Sequence, residues 1–196
     1  MKTSKVIGFL GILLGIGCVS LTVSDNSICD SKSLSFPIPQ LPIVDMTQAC
    51  SQVSAVIPSV SATQKFDFSD PVKKVSDLTD QLSISITQLV IDNSSGVFSW
   101  ISGVDVQVSG NNLQQMDLAS YTVPPTGMSS EINVDVHMSP ADILRYLKSG
   151  PITLTITLEG GTVNACEVEK LASMTSISSG VNMCVAVSAN VNKSLL

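Results

Sequence analysis

Few side chains in this 196-residue sequence have reactive or metal-binding chemistry: five cysteines, one histidine and three close pairs of acidic residues. The cysteines are Cys18, Cys29, Cys50, Cys166 and Cys184. A cysteine zinc site needs gaps of about two to four residues, and none of these gaps is that short. His137 is the single histidine, which removes most triads and most zinc sites. Asp135, two residues away, stands where it could orient the ring, but a solvent-facing histidine beside a carboxylate is the simpler reading. None of the many serines sits in the glycine-flanked elbow that exposes a nucleophile.

The acidic pairs are Asp67 with Asp70, Asp77 with Asp80, and Glu167 with Glu169. Paired carboxylates can cleave glycosides, but such enzymes also need aromatic sugar platforms. Only one Trp, two Tyr and the phenylalanines other than Phe9 are at hand. The Asp67 to Asp80 stretch lacks the alternating oxygen ligands and glycine of a calcium loop, so it reads as solvated turns. Gly160 and Gly161 read as a turn, since no helix start or lysine follows at phosphate-loop spacing. Trp100, Phe98 and Tyr121 would make a binding patch if exposed, but a lone Trp beside Phe, Val and Ile reads as core. The expectation is a protein with no catalytic residues, no metal and no cofactor.

The first eighteen residues carry a different chemistry. Lys2 and Lys5 precede an apolar run from Val6 to Ile16, and Gly17 stands directly before Cys18. That is the charged, apolar, small-residue order of an export signal, and the run is shorter than the roughly 20 residues a membrane helix needs. Leu14, Gly15, Ile16, Gly17, Cys18 resembles the lipobox of bacterial lipoproteins, with Gly15 where those signals usually carry leucine. The resemblance implies removal of residues 1–17, acylation of Cys18 with palmitate among the chains, and membrane attachment through that anchor. Val19 follows Cys18 where an aspartate would favour inner-membrane retention, so the resemblance points to the outer membrane. An uncleaved anchor and ordinary cleavage remain the alternatives on the residues themselves.

Export sends the other four cysteines to an oxidising compartment, where two disulfides are expected from three possible connectivities. Cys29 with Cys50 and Cys166 with Cys184 are favoured, because each pair closes a short loop at its own end of the chain. One disulfide with two buried thiols is the alternative. Without residues 1–17 the chain has eight basic and sixteen acidic residues, a net charge of −8, which offers no footprint for nucleic acid.

The elements that would position these groups follow from hydrophobic period. Residues 18–42, rich in Ser, Asp, Asn and Pro, read as a flexible tether, and residues 43–196 as one domain. Ile43 to Val56 suits a short helix between Pro42 and Pro58. From Lys65 the period is two: Phe66 and Phe68; Leu82, Ile84 and Ile86, with a phase slip at Gln88 before Leu89 and Ile91; Val104, Val106 and Val108; Met116 to Val123; Ile132 to Met138; Ile152 to Leu158; and Val181 to Val191. Between them Ser139 and Pro140 start one helix carrying Ile143, Leu144 and Leu147, closed by Gly150 and Pro151. The stretch from Ala165 to Ser179 reads as a loop. Alternating faces and polar turns predict a mainly β fold, a single antiparallel β-sandwich with one or two short helices.

Leu82 to Asp92, Val97 to Gly110 and Ser139 to Gly160 together resemble a loose class of uncharacterised exported lipoproteins of Gram-negative, myxobacteria-like bacteria, a likeness of pattern that implies no activity. The sequence therefore leads to a lipid-anchored envelope protein acting as a non-enzymatic binding or structural module, with an unknown envelope protein as partner. A carrier of a lipid or other apolar ligand is the alternative, and an enzyme with an unrecognised site the remote one.

Overall fold

Where Thr and aliphatic residues alternate, the chain buries the aliphatic row and leaves the threonines half-exposed. In a computed structural model, which describes residues 19–23, 27–43, 53–76, 82–93, 98–124 and 129–193, this pattern holds from Ile152 to Leu158, and a buried row alternating with a wetter one also runs from Val104 to Ser109. The elements in chain order are β1 (Val19–Val23), β2 (Ser27–Phe36), β3 (Ser54–Val56), β4 (Val60–Phe66), α1 (Ser69–Ser76), β5 (Leu82–Asp92), β6 (Ile101–Gly110) and β7 (Leu113–Thr122). They continue with β8 (Glu131–Asn133), β9 (Asp135–Val136), α2 (Pro140–Lys148), β10 (Ile152–Gly160), β11 (Thr162–Asn164), α3 (Ala165–Ala172) and β12 (Ile177–Lys193).

Two antiparallel sheets face each other. In the first, the 17-residue β12 lies between β5 on one side and β2 followed by β1 on the other, and β8 extends the β5 edge. The second has the order β4-β10-β6-β7-β9, and β11 with β3 forms a small separate ladder. Ile84, Leu89, Ile91, Val181, Met183 and Val185 from the first sheet join Val104, Val106, Val108, Leu154, Ile156 and Leu158 from the second in one buried core. This is the expected antiparallel β-sandwich, with three short helices among the described residues.

The phase slip in β5 is a bulge. Cys184 pairs with Gln88 and Val185 with Ile86, so Thr87 is the extra residue, and its hydroxyl donates to the Cys184 carbonyl at 3.3 Å. The bulge resets the inward row from Ile84 and Ile86 to Leu89 and Ile91. The helix start is also as expected: Ser139 Oγ accepts the Asp142 N–H at 3.2 Å, Pro140 is in the first turn, and Ile143, Tyr146 and Leu147 are buried. Gly150, at φ 115, ends the segment in a conformation that glycine tolerates best. At Gly160 a Cβ would lie 1.6 Å from the Ile57 carbonyl oxygen, so the double glycine is a close crossing of two chain segments.

Several expectations are corrected. The stretch predicted as a tether contributes β1 and β2, both paired to β12. Its serines alternate with Ile28, Leu34 and Phe36, which suits an edge strand with one wet face. Of the helix expected at Ile43 to Val56, Ser54–Val56 is strand, and residues 44–52 lie outside the described residues. The row from Ile132 to Met138 divides between sheets: β8 pairs with β5, β9 with β7, and the Val134 N–H donates to the Leu89 carbonyl at 2.9 Å between them. Two helices, α1 and α3, stand where none was expected. Asn164 caps α3 by accepting the Glu167 N–H at 3.0 Å, and Val168 and Leu171 bury its inner face.

Candidate functional site

The expected disulfide pairs are also corrected. Cys29 is bonded to Cys184, residues opposite each other in β2 and β12, with a Cα–Cα distance of 4.0 Å and 155 positions apart in sequence. Cys184 therefore does not staple the segment after Ala165, as a bond to Cys166 would have done. Spacing along the chain misled because sheet pairing brings the two ends of the domain together. Cys166, on α3, is disulfide-bonded as well. Cys18 and Cys50 lie outside the described residues.

His137 and Asp135 are both exposed, and among the described residues no side-chain hydrogen bond joins them. The His137 backbone N–H donates to the Leu118 carbonyl at 3.1 Å, a contact that shapes the chain and leaves the imidazole in solvent. Asp67 accepts from the Ser69 hydroxyl and, at 3.0 Å, from the Ser69 backbone N–H. Those two bonds, the hydroxyl's first, hold its carboxyl below the ordinary value of 3.8. Asp67 thus belongs to the turn that starts α1. Asp77 and Asp80 lie outside the described residues. Glu167 accepts the Ser99 hydroxyl at 3.1 Å, and Glu169, two residues along α3, points to a different side of that helix. Among the described residues no group of three or more His, Cys, Asp and Glu is placed to hold a metal ion.

Trp100 and Phe98 are buried at 1% and 0% exposure, and Phe36 meets Phe98 edge-on at a centroid distance of 6.0 Å. They are core, as their apolar neighbours suggested, and Tyr121 is half-buried. In the interior, a void of about 10 Å³ lined by Ile86, Val108, Leu118, Met138, Tyr146 and Met183 has room for about one water molecule.

Among the described residues, one polar surface is the outer face of the first sheet. A hollow of about 230 Å³ crosses four strands and is lined by Ser31, Gln88, Val90, Asp92, Glu131 and Asn182, with Gly180 keeping its floor low. Ser31 Oγ donates to Asn182 Oδ1 at 2.9 Å, which fixes that amide beside the disulfide. The lining offers hydroxyl, amide and carboxylate groups and no nucleophile with a base beside it. Its chemistry is hydrogen bonding to a polar, uncharged or cationic surface. Sequence reasoning missed it because its residues come from β2, β5, β8 and β12, which only long-range pairing brings together. The outer face of the second sheet is polar too, with Thr153, Thr155 and Thr157 on β10 and a Ser61 to Thr157 hydroxyl contact at 2.8 Å.

No family model, curated protein or solved structure matches the chain.

Proposed function

We propose that this is a lipid-anchored, non-enzymatic protein of the cell envelope, attached to the outer membrane through Cys18, with the sandwich serving as a binding or structural module. The observation that carries the module reading is the packed interior. Among the described residues, an apolar void of about 10 Å³ lies between the sheets, far below the several hundred Å³ that enclose a small apolar ligand, and this favours a module over a carrier. The polar outer faces of the two sheets support recognition by surface contact. The anchor rests on Lys2, Lys5, the apolar run and Cys18.

The pairing of β1 gives this anchor a particular form. Val19, the residue after Cys18, pairs with Lys193 at the end of β12. Acyl chains on Cys18 would hang from a paired strand with no tether between. Intact mass of the protein purified from its host tests the reading: a chain starting at Cys18 and carrying a diacylglycerol is expected. A chain with an unmodified Met1 overturns it, as does a Cys18→Ala form that partitions with membranes as the unaltered protein does.

A further inference from the structure

We infer that the open edge of β2 pairs with the same edge of a second copy, joining the first sheets of two molecules into one continuous antiparallel sheet. Among the described residues β2 pairs with β12 alone; β4, the edge strand of the second sheet, lies close to β2 but forms no ladder with it, so one side of this ten-residue strand has no ladder partner. Long unpaired edges invite pairing.

The disulfide reveals which backbone groups that edge offers. A Cα–Cα distance of 4.0 Å at Cys29 and Cys184 marks a non-hydrogen-bonded pair, since hydrogen-bonded pairs stand about 5.5 Å apart. Cys29 therefore turns its N–H and C=O away from β12. With the register constant along the strand, Ser27, Ser31, Ser33 and Ser35 do the same. The open edge presents the N–H and C=O groups of these five residues. Pro37, Pro39 and Pro42, lacking N–H groups, end it.

Charge chooses the register. Asp30 and Lys32 lie on the other face of β2, half-buried, with Nζ 3.0 Å from Oδ2. Turning a second copy about a two-fold axis at Ser31 sets each Asp30 opposite the partner's Lys32, and Ile28 opposite the partner's Leu34. These are the close, non-hydrogen-bonded positions, where opposite charges attract most. Sliding the strands by two residues either way puts Asp30 opposite Asp30 or Lys32 opposite Lys32. A lone lysine on an edge would repel its symmetry mate, whereas this pair is complementary to itself reversed. The bond at Cys29 holds the edge in place before association.

Sedimentation equilibrium of the full chain in density-matched detergent tests this. The unaltered protein is expected to dimerise. Asp30→Lys and Lys32→Asp should each weaken self-association about tenfold or more, because two attractive pairs become two repulsive ones. An equimolar mixture of the two variants restores complementarity and should dimerise, which also shows that both have folded. Ser31→Pro removes an N–H that faces the open edge and should abolish the dimer without changing the far-ultraviolet circular dichroism. A monomeric unaltered protein, a charge variant that dimerises as well as the unaltered one, or a mixture that stays monomeric would each overturn the inference.

Discussion

Replacing both Cys29 and Cys184 with alanine should cost this fold more than breaking either of the short loops that spacing suggested. The bond joins residues 155 positions apart. In the chain-entropy treatment, a loop of that length removes about 5 kcal/mol of unfolded-state freedom, whereas a loop of roughly twenty residues removes about 3 kcal/mol. Urea unfolding under non-reducing conditions, followed by the fluorescence of the single tryptophan, Trp100, measures the difference. That residue is 1% exposed and reports on the core between the sheets. The expected loss is about 3 to 5 kcal/mol. The connectivity can be read directly, since trypsin cuts after Lys32, Lys65, Lys148 and Lys170 and so places the four cysteines on separate peptides. The peptide ending at Lys32 should be linked to the one that starts at Leu171. A link between Cys29 and Cys50, or a double variant as stable as the unaltered chain, would refute the reasoning. The same digest should link Cys166 to Cys50, because the Ala165 N–H donates to the Val53 carbonyl at 2.9 Å, three positions along from Cys50.

Other perturbations have expected outcomes of their own. Gly160→Ala forces a Cβ to within 1.6 Å of the Ile57 carbonyl oxygen and should lower stability by about 2 to 3 kcal/mol in thermal unfolding; an unchanged midpoint would contradict the crossing. Ser139→Ala removes the acceptor for the Asp142 N–H and should cost about 1 kcal/mol in the same measurement. The lowered carboxyl of Asp67 stabilises the fold fully above the ordinary value of 3.8, and that contribution is lost as pH falls through the lowered folded value. Asp67→Asn should therefore flatten the acid limb of a stability profile and leave its slope near neutral pH alone. A carboxyl titration of Asp67 centred at or above 3.8 would count against this.

Local signals were legible in the sequence, and long-range ones were not. The Thr and aliphatic alternation of β10 and the Ser139–Pro140 start of α2 are read within ten residues, and both elements stand as expected. The bulge was legible because a bulge shifts the hydrophobic phase within its own strand. In β2 the period of two was present, but Asp30 and Lys32 fall in its inward row, so the segment resembled a polar tether. That row tolerates charge because the strand lies at an edge. The cap of α3 was also legible, with Asn164 before it, Glu167 in its first turn and Lys170 in its last. The expectation of a cysteine-closed loop there overrode those signals. For the disulfide and the polar hollow no local period exists to read, since both depend on which strands lie beside β12.

These corrections change how an anchor on Cys18 would work. With a free tether, tension on the lipid would straighten a coil and leave the domain untouched. With β1 paired to β12 from Val19, tension instead bears on the ladder. Strand β2 runs on along the same side of β12, so the separation could propagate toward the core. The Cys29 to Cys184 bond stops it: only residues before Cys29 can be pulled away while that bond is intact. Leu34 and Phe36, 3% and 1% exposed, lie beyond the clamp and hold the core end of β2. Reduction would remove the stop and expose the whole inner side of β2 to the same pull. On the proposed reading, the long-range bond makes an anchored edge strand compatible with a stable sandwich. A local Cys29 to Cys50 bond would have left the ladder with β12 unguarded.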